Sequence, residues 1–300
     1  MSATCKTGSQ PVDRLQLAIV RRILLTLALL AACDAPKPPA PPSTPSVCAT
    51  GFLLADVARQ VGGEGVKTDW VLDLGDNLDD VAFSPAERAR VGNVDLTLCD
   101  GERSETWLRG ELGSLLGSDR LLALENLPMS ATRPPGGLLW LDPIVVRSFV
   151  PVLAEKLTLR EPRRGAQYAD GARAFVAALD AVVARHPNAG FGRGRVLIPS
   201  ARPAALLDRF GVAYKIVDAD PLDLTPTAAD ELTAVAAREK ARVLLLAFDT
   251  PPAAVADIET RTRLKVFLLD PIGYPNYAGH DDYLSVLEYN LSQLRAASAY

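Results

Sequence analysis

From Val47 onward the chain alternates between two kinds of apolar pattern. Short aliphatic runs are separated by segments whose apolar residues recur every three or four positions, the signature of strands alternating with helices. The first unit is the run Val47 to Thr50, a Gly51 turn and the periodic stretch Leu53 to Val61. Gly62-Gly63 closes it as a helix C-terminus signal. A strand is predicted over 69–74, then a helix opened by Ser84 as N-cap with Pro85 at its first position, then a strand over 94–99. In the second half, strands are predicted over 195–199, 212–217, 243–248 and 265–269. Helices over 203–210, 227–239 and 252–262 lie between them. Such alternation predicts parallel sheets with helices on their faces.

Residues 165–186 break the alternation. Tyr168, Ala172, Phe175, Val176, Leu179 and Val183 recur at helical spacing over more than five turns, which predicts one amphipathic helix of roughly 33 Å. His186-Pro187-Asn188-Ala189-Gly190 ends it, with the imidazole placed to suit the helix dipole. The body therefore reads as two α/β lobes joined by a long helix. The expected divisions are 47–141 for the N-terminal lobe, 142–190 for the connecting segment and 191–300 for the C-terminal lobe.

The start of the chain reads as an address and a tether. Arg21-Arg22 precede the apolar run Ile23 to Leu30, and Ala31-Ala32-Cys33 follows. A basic flank, a short apolar stretch and small residues before a cysteine make 1–33 a lipoprotein signal peptide with Cys33 as the lipidated residue. The segment before Val20 is longer than such a signal needs, which places the translation start at Val20. Residues 34–46 carry APKPPAPPSTPS with six prolines, a semi-rigid polyproline-type linker reaching about 37 Å. The expected location is the periplasmic or extracellular face of a bacterial membrane, with the lipid on Cys33 as the membrane contact.

The whole chain has 32 Lys and Arg against 36 Asp and Glu; without 1–32 the balance is 28 to 35, a net charge of −7. That excludes a nucleic-acid partner. His186 and His280 are the two histidines of the 300 residues, too few for a zinc centre built on histidine. No Gly-x-Ser-x-Gly occurs and no cysteine opens a helix, so nothing points to an enzyme. Gly190-Phe191-Gly192-Arg193-Gly194 precedes a strand, whereas a phosphate-binding loop follows one.

Several stretches, in order, resemble the solute-binding lipoproteins of ABC importers for zinc and manganese: FLLADVARQVGGEGV, GDNLDDVAFSPAERARV, NVDLTLCDGERSETWL, the WLDP of Trp140 to Pro143, LLDPIG of Leu268 to Gly273, and YLSVLEYNLSQL. The resemblance covers most of 47–296. It implies an α/β fold of two lobes, each a four-stranded parallel sheet flanked by helices, joined by one long backbone helix. It also implies a cognate permease and ATPase as partners, and one divalent metal ion, manganese or zinc, as transported ligand.

Carried across one position at a time, the family's metal ligands fall on Asp79, Leu138, Ser200 and Asp270, with Asp80 beside the first. None is histidine. Two carboxylates and a hydroxyl suit a hard cation better than zinc, so the resemblance implies a degenerate, oxygen-rich site. Three readings stay open: a weak cation site on Asp79 and Asp270 helped by Asp80 and Ser200, a cleft retuned for another solute, or a vestigial cleft in an interaction lipoprotein. Leu138, Arg202 and His280 are further cleft candidates; Arg202 with Ser200 opens a helix at a strand end and suits an anion or chelate, unless Ser200 is an ordinary N-cap and Arg202 faces solvent. His280 is expected in a solvated loop at the cleft mouth. In neighbouring strands, Cys48 and Cys99 form either a disulfide or two buried thiols.

Overall fold

The computed structural model describes residues 43–72, 81–127, 136–187, 195–218, 220 and 224–300. Cys33, Asp79, Asp80, the signal segment and the glycine run at 190–194 lie outside them. Strands β1 (Ser46–Ala49), β2 (Lys67–Trp70), β3 (Leu96–Cys99) and β4 (Leu121–Ala123) form one sheet in the order β2-β1-β3-β4. Strands β5 (Val196–Ile198), β6 (Tyr214–Ile216), β7 (Val243–Ala247) and β8 (Lys265–Leu269) form a second, in the order β6-β5-β7-β8. Every pairing is parallel, so all carboxyl ends of one sheet share an edge. The expected pair of four-stranded lobes is present.

Helices flank the sheets: α1 (Phe52–Gly62), α2 (Pro85–Gly92), α3 (Leu108–Leu112), α4 (Pro143–Arg160), α5 (Gly165–Ala184), α6 (Ala204–Arg209), α7 (Pro226–Glu239), α8 (Pro252–Thr262) and α9 (Tyr283–Ala297). At α2, Ser84 and Glu87 exchange side chain-to-backbone bonds as a capping box behind Pro85. Gly63 ends α1 with φ +55°, a conformation that favours glycine.

Helix α5 is the long helix of the sequence pattern, about 30 Å over its 20 residues. It packs against α4, against α1 of the first lobe and against α9 of the second, so it backs both. Tyr168 is fully buried and its hydroxyl donates to the Gly65 carbonyl at 2.8 Å. A Cβ at Gly171 would lie 2.1 Å from the Val61 carbonyl oxygen, so only glycine lets α5 approach α1 this closely.

Helix α3 and strand β4 have no counterpart in the sequence pattern, and β2 and α4 differ from it. Strand β2 begins at Lys67 instead of 69, because Lys67 N–H donates to the Pro45 carbonyl and Ser46 pairs with Lys67. The expected connecting segment holds a second long helix, α4. Its buried residues Val146, Phe149, Val150, Leu153 and Leu157 form one stripe, but Ile144, Val152 and the exposed Leu159 place aliphatics off that stripe, and Pro151 sits inside it. Aliphatic residues on both the buried and the outer face blur the stripe in the sequence.

The largest core runs from α1 through α4 and α5 to α9 and takes residues from both sheets, including Leu54, Phe149, Leu179, Ile198 and Leu291. A smaller core lies between β7, β8 and helices α7 and α8, and another beneath α2 and α3. Cys48 and Cys99 are separate buried thiols, which settles that alternative. Among the described residues, no helix is long and apolar enough to cross a membrane.

Candidate solute site between the lobes

The segment from Leu138 to Pro143 passes from the first lobe to α4 and binds both lobes on the way. Leu138 N–H donates to the Arg202 carbonyl at 3.0 Å. Trp140 donates its backbone N–H to Asp100 Oδ1 at the end of β3 (3.0 Å), accepts from the Tyr283 hydroxyl (2.8 Å), and donates its indole Nε1–H to the Pro271 carbonyl (2.8 Å). Asp142 caps α4 through Ile144 N–H and receives Arg209 of α6 as a two-pronged ion pair, both contacts at 2.7 Å. The WLDP sequence is thus a strut, tied across the junction by the backbone and indole of Trp140 and by the Asp142 carboxylate.

Asp100 supports the strut from a buried acidic pocket. Burial raises its carboxyl to about 6, opposed by bonds from Leu139, Ser104 and Trp140. Glu105 Oε2 accepts from Asp100 N–H (2.7 Å) and Gly101 N–H (3.2 Å). Burial, then the neighbouring Asp100 charge, push the Glu105 carboxyl up to about 8. The Thr50 hydroxyl bears on that carboxyl, yet neither Thr50 Oγ1 nor Glu105 Oε1 has a hydrogen bond of good geometry.

On the second lobe, β8 ends at Asp270, which is fully buried. Its Oδ1 accepts from Ile272 N–H (3.1 Å) and Gly273 N–H (2.8 Å), and its Oδ2 lies 2.6 Å from His280 Nδ1. Asn290 of α9 grips its backbone, accepting from Asp270 N–H and donating to its carbonyl, both at 2.7 Å. Burial holds the Asp270 carboxyl above its ordinary value against the lowering effect of His280 and the two backbone donors.

His280 corrects the sequence expectation. It is 4% exposed, stacked on Phe248 at 3.8 Å, with Tyr289 at 4.4 Å and Tyr277 at 5.4 Å between ring centres. A loop histidine is buried here because a buried carboxylate and an aromatic box both receive it. The fate of Ser200 also differs from an ordinary N-cap, since α6 starts four residues later behind Pro203. Leu138 is 3% exposed within the central core. His186 follows α5 as expected and bonds Glu288 of α9 through Nε2 at 2.6 Å.

Two cavities flank the strut. One, of about 340 Å³, is lined by Phe52, Trp70, Leu72 and Trp140 from the first lobe and by Ile272, Gly273, Pro275 and Asn276 from the second. Phe52 and Trp70 meet edge-on at 5.3 Å, and a Cβ at Gly273 (φ +77°) would press on Phe52 and Leu53 at 2.7 Å. The other, about 320 Å³, opens at the carboxyl ends of β5, β7 and β8 and is lined by Ser200, Arg202 and Leu245 among others. The bond from Trp140 to Pro271 lies between them, as Trp140 lines the first and Pro271 the second.

The structure therefore brings Asp270 and His280 into contact, and Leu138 and Arg202 into a backbone bond, while Ser200 and Arg202 line the second cavity. Among the described residues, no three His, Cys, Asp or Glu side chains cluster so as to hold a metal ion. Sequence reasoning passed over Phe52, Trp70, Asp100 and Glu105. The one signal for the acid pair was its place directly after a buried strand, the carboxyl end where α/β sheets gather function.

Comparison with known families places this arrangement. The family described as zinc-uptake complex component A, periplasmic, matches residues 47–297. The chain belongs to this family. No curated protein matches the chain. Solved structures agree on the fold. The Zn(II)-bound ZnuA-like domain of AdcA from Streptococcus pneumoniae superposes with a TM-score of 0.75 at 16% identity, covering 86% of this chain and 100% of that one. The periplasmic zinc-binding protein TroA from Treponema pallidum gives 0.70 at 18%, covering 86% and 100%. FpvC from Pseudomonas aeruginosa with Ni2+ gives 0.69 at 18%, covering 86% and 97%.

Proposed function

We propose that the chain is the extracytoplasmic substrate-binding lipoprotein of a metal-type ABC importer, anchored through Cys33 and its proline-rich linker, with a degenerate oxygen-rich cargo site. It collects solute between its lobes and delivers it to a permease and ATPase; it carries out no chemistry on it. The observation behind this reading is the opposition of two parallel sheets across the Trp140 strut, with Asp270 retained at a carboxyl end. That edge is where open α/β sheets take ligands.

The bonds on Asp270 bear on what the site holds. An ionised carboxylate offers about four lone-pair positions, and Ile272, Gly273 and His280 engage three of them. One position remains for a cation. Ser200, with Asp79 and Asp80 outside the described residues, would supply further oxygen. Leu138, in the position of a ligand, supplies none. Such a set favours a hard cation such as manganese, held weakly, over zinc.

A second reading draws on the interlobe cavity. Among the described residues no ionisable side chain lines it, and Phe52, Trp70 and Trp140 do, which suits an organic solute or a metal chelate. The receptor role is tested with the lipidated full-length chain and its permease–ATPase complex in proteoliposomes. Cargo-loaded protein stimulates ATP hydrolysis several-fold; equal ATPase rates with and without the chain would favour the vestigial interaction lipoprotein.

A further inference from the structure

The second cavity shares Ser200 with the cargo reading, but the Asp270 carboxylate does not line it, and its floor and Asp249 lie apart from that carboxylate. Its floor is apolar: Leu206, Leu245 and Leu269 are each no more than 4% exposed. Its mouth is polar, with Asp249 and Asp220 exposed and Ser200 and Arg202 half-buried. Among the described residues, one cation against two carboxylates leaves the rim with one negative charge. Thr250 is buried, and among the described residues its hydroxyl has no hydrogen-bond partner, nor has the Asp249 carboxylate. An apolar floor under a few convergent polar groups is the usual make-up of a small-molecule pocket.

From this wall we infer that the cavity at the ends of β5, β7 and β8 binds a small organic amine, its apolar body against Leu206, Leu245 and Leu269 and its ammonium group at Asp249. The volume of about 320 Å³ has room for roughly ten water-sized groups at ~30 Å³ each, which matches a single ring on a short chain. The ammonium group has three donors; the Asp249 carboxylate and the Thr250 hydroxyl are acceptors for them. A carboxylate ligand of the same shape meets a rim whose described residues carry a net negative charge. The inference goes beyond the cargo reading and stands whether or not the protein carries a metal.

The test titrates the full-length chain with phenylpropylamine, phenylpropanol and phenylpropionate, followed by ligand-observed NMR. The amine binds with a Kd on the order of 1 mM, as a ligand of this size allows, and about tenfold tighter than the carboxylate. Asp249→Asn weakens the amine about fivefold and leaves the alcohol unchanged. Ala247→Phe fills the cavity from an exposed wall position and removes binding of all three; both variants keep the wild-type thermal midpoint. Saturating manganese does not displace the amine. A carboxylate that binds as tightly as the amine overturns the ligand class. Binding that survives Ala247→Phe, displacement by manganese, or no binding of any probe overturns the site.

Discussion

The acid pair behind the strut makes stability fall as pH rises, and Glu105→Gln isolates the effect. Glu105 binds its proton more tightly folded than unfolded, since its carboxyl moves from 4.5 to about 8 by burial and by the charge of Asp100. Asp100 shifts the same way, from 3.8 to about 6. The stabilisation that comes with protonated Glu105 is therefore present in full below pH 4.5 and is lost as pH climbs through about 8. At about 1.4 kcal/mol per pKa unit the ceiling is near 5 kcal/mol. Relaxation and water entry around the ionised form leave on the order of 2–3 kcal/mol. Gln keeps an acceptor for the Asp100 and Gly101 N–H groups and carries no charge. In guanidinium denaturation followed by tryptophan fluorescence, wild type and Glu105→Gln have similar stability at pH 5. At pH 8.5 the variant is more stable by on the order of 2–3 kcal/mol. Parallel stability curves across that range would refute the reasoning.

Two further predictions rest on the lobe junction and the thiols. Arg209→Ala leaves Asp142 largely buried without its two-pronged partner and lowers stability by about 2–3 kcal/mol, with Arg209→Lys recovering less than half, since Lys lacks the planar fork; chemical denaturation measures both. Burial first, then the Asp69 charge, push the Cys48 thiol up to about 12, and burial raises the Cys99 thiol well above its ordinary value. Both therefore resist iodoacetamide at pH 8 in the folded protein and react once it is unfolded, as peptide mapping by mass spectrometry shows; rapid native labelling of either contradicts the buried-thiol assignment.

Much of the fold was legible because local signals and tertiary structure agree. Ser84-Pro85 and Gly62-Gly63 mark helix ends that the structure keeps, and the 165–186 stripe is α5 less two residues. Helix α4 was illegible because Ile144, Val152 and Leu159 put aliphatics on its outer face as well as its buried one, and Pro151 obscures it further. Strand β4 is no shorter than β5 or β6, but only the five-residue α3 precedes it and no α-helix follows it directly, so no periodic segment frames it. The site was legible only as positions. That Asp270 is occupied by His280 depends on a loop folding back ten residues onto Phe248 and Tyr289, and no spacing rule encodes that closure. The pairing of Asp100 with the Trp140 backbone likewise spans forty residues.

The claim of a degenerate, oxygen-rich cargo site is tested most directly by calorimetric titration of the full-length chain with manganese and zinc, beside Asp270→Ala. With one lone-pair position left on Asp270 and no histidine cluster among the described residues, manganese binds with micromolar or weaker affinity, zinc gains no advantage over it, and Asp270→Ala abolishes both. Nanomolar zinc binding that Asp270→Ala leaves unchanged would contradict the account.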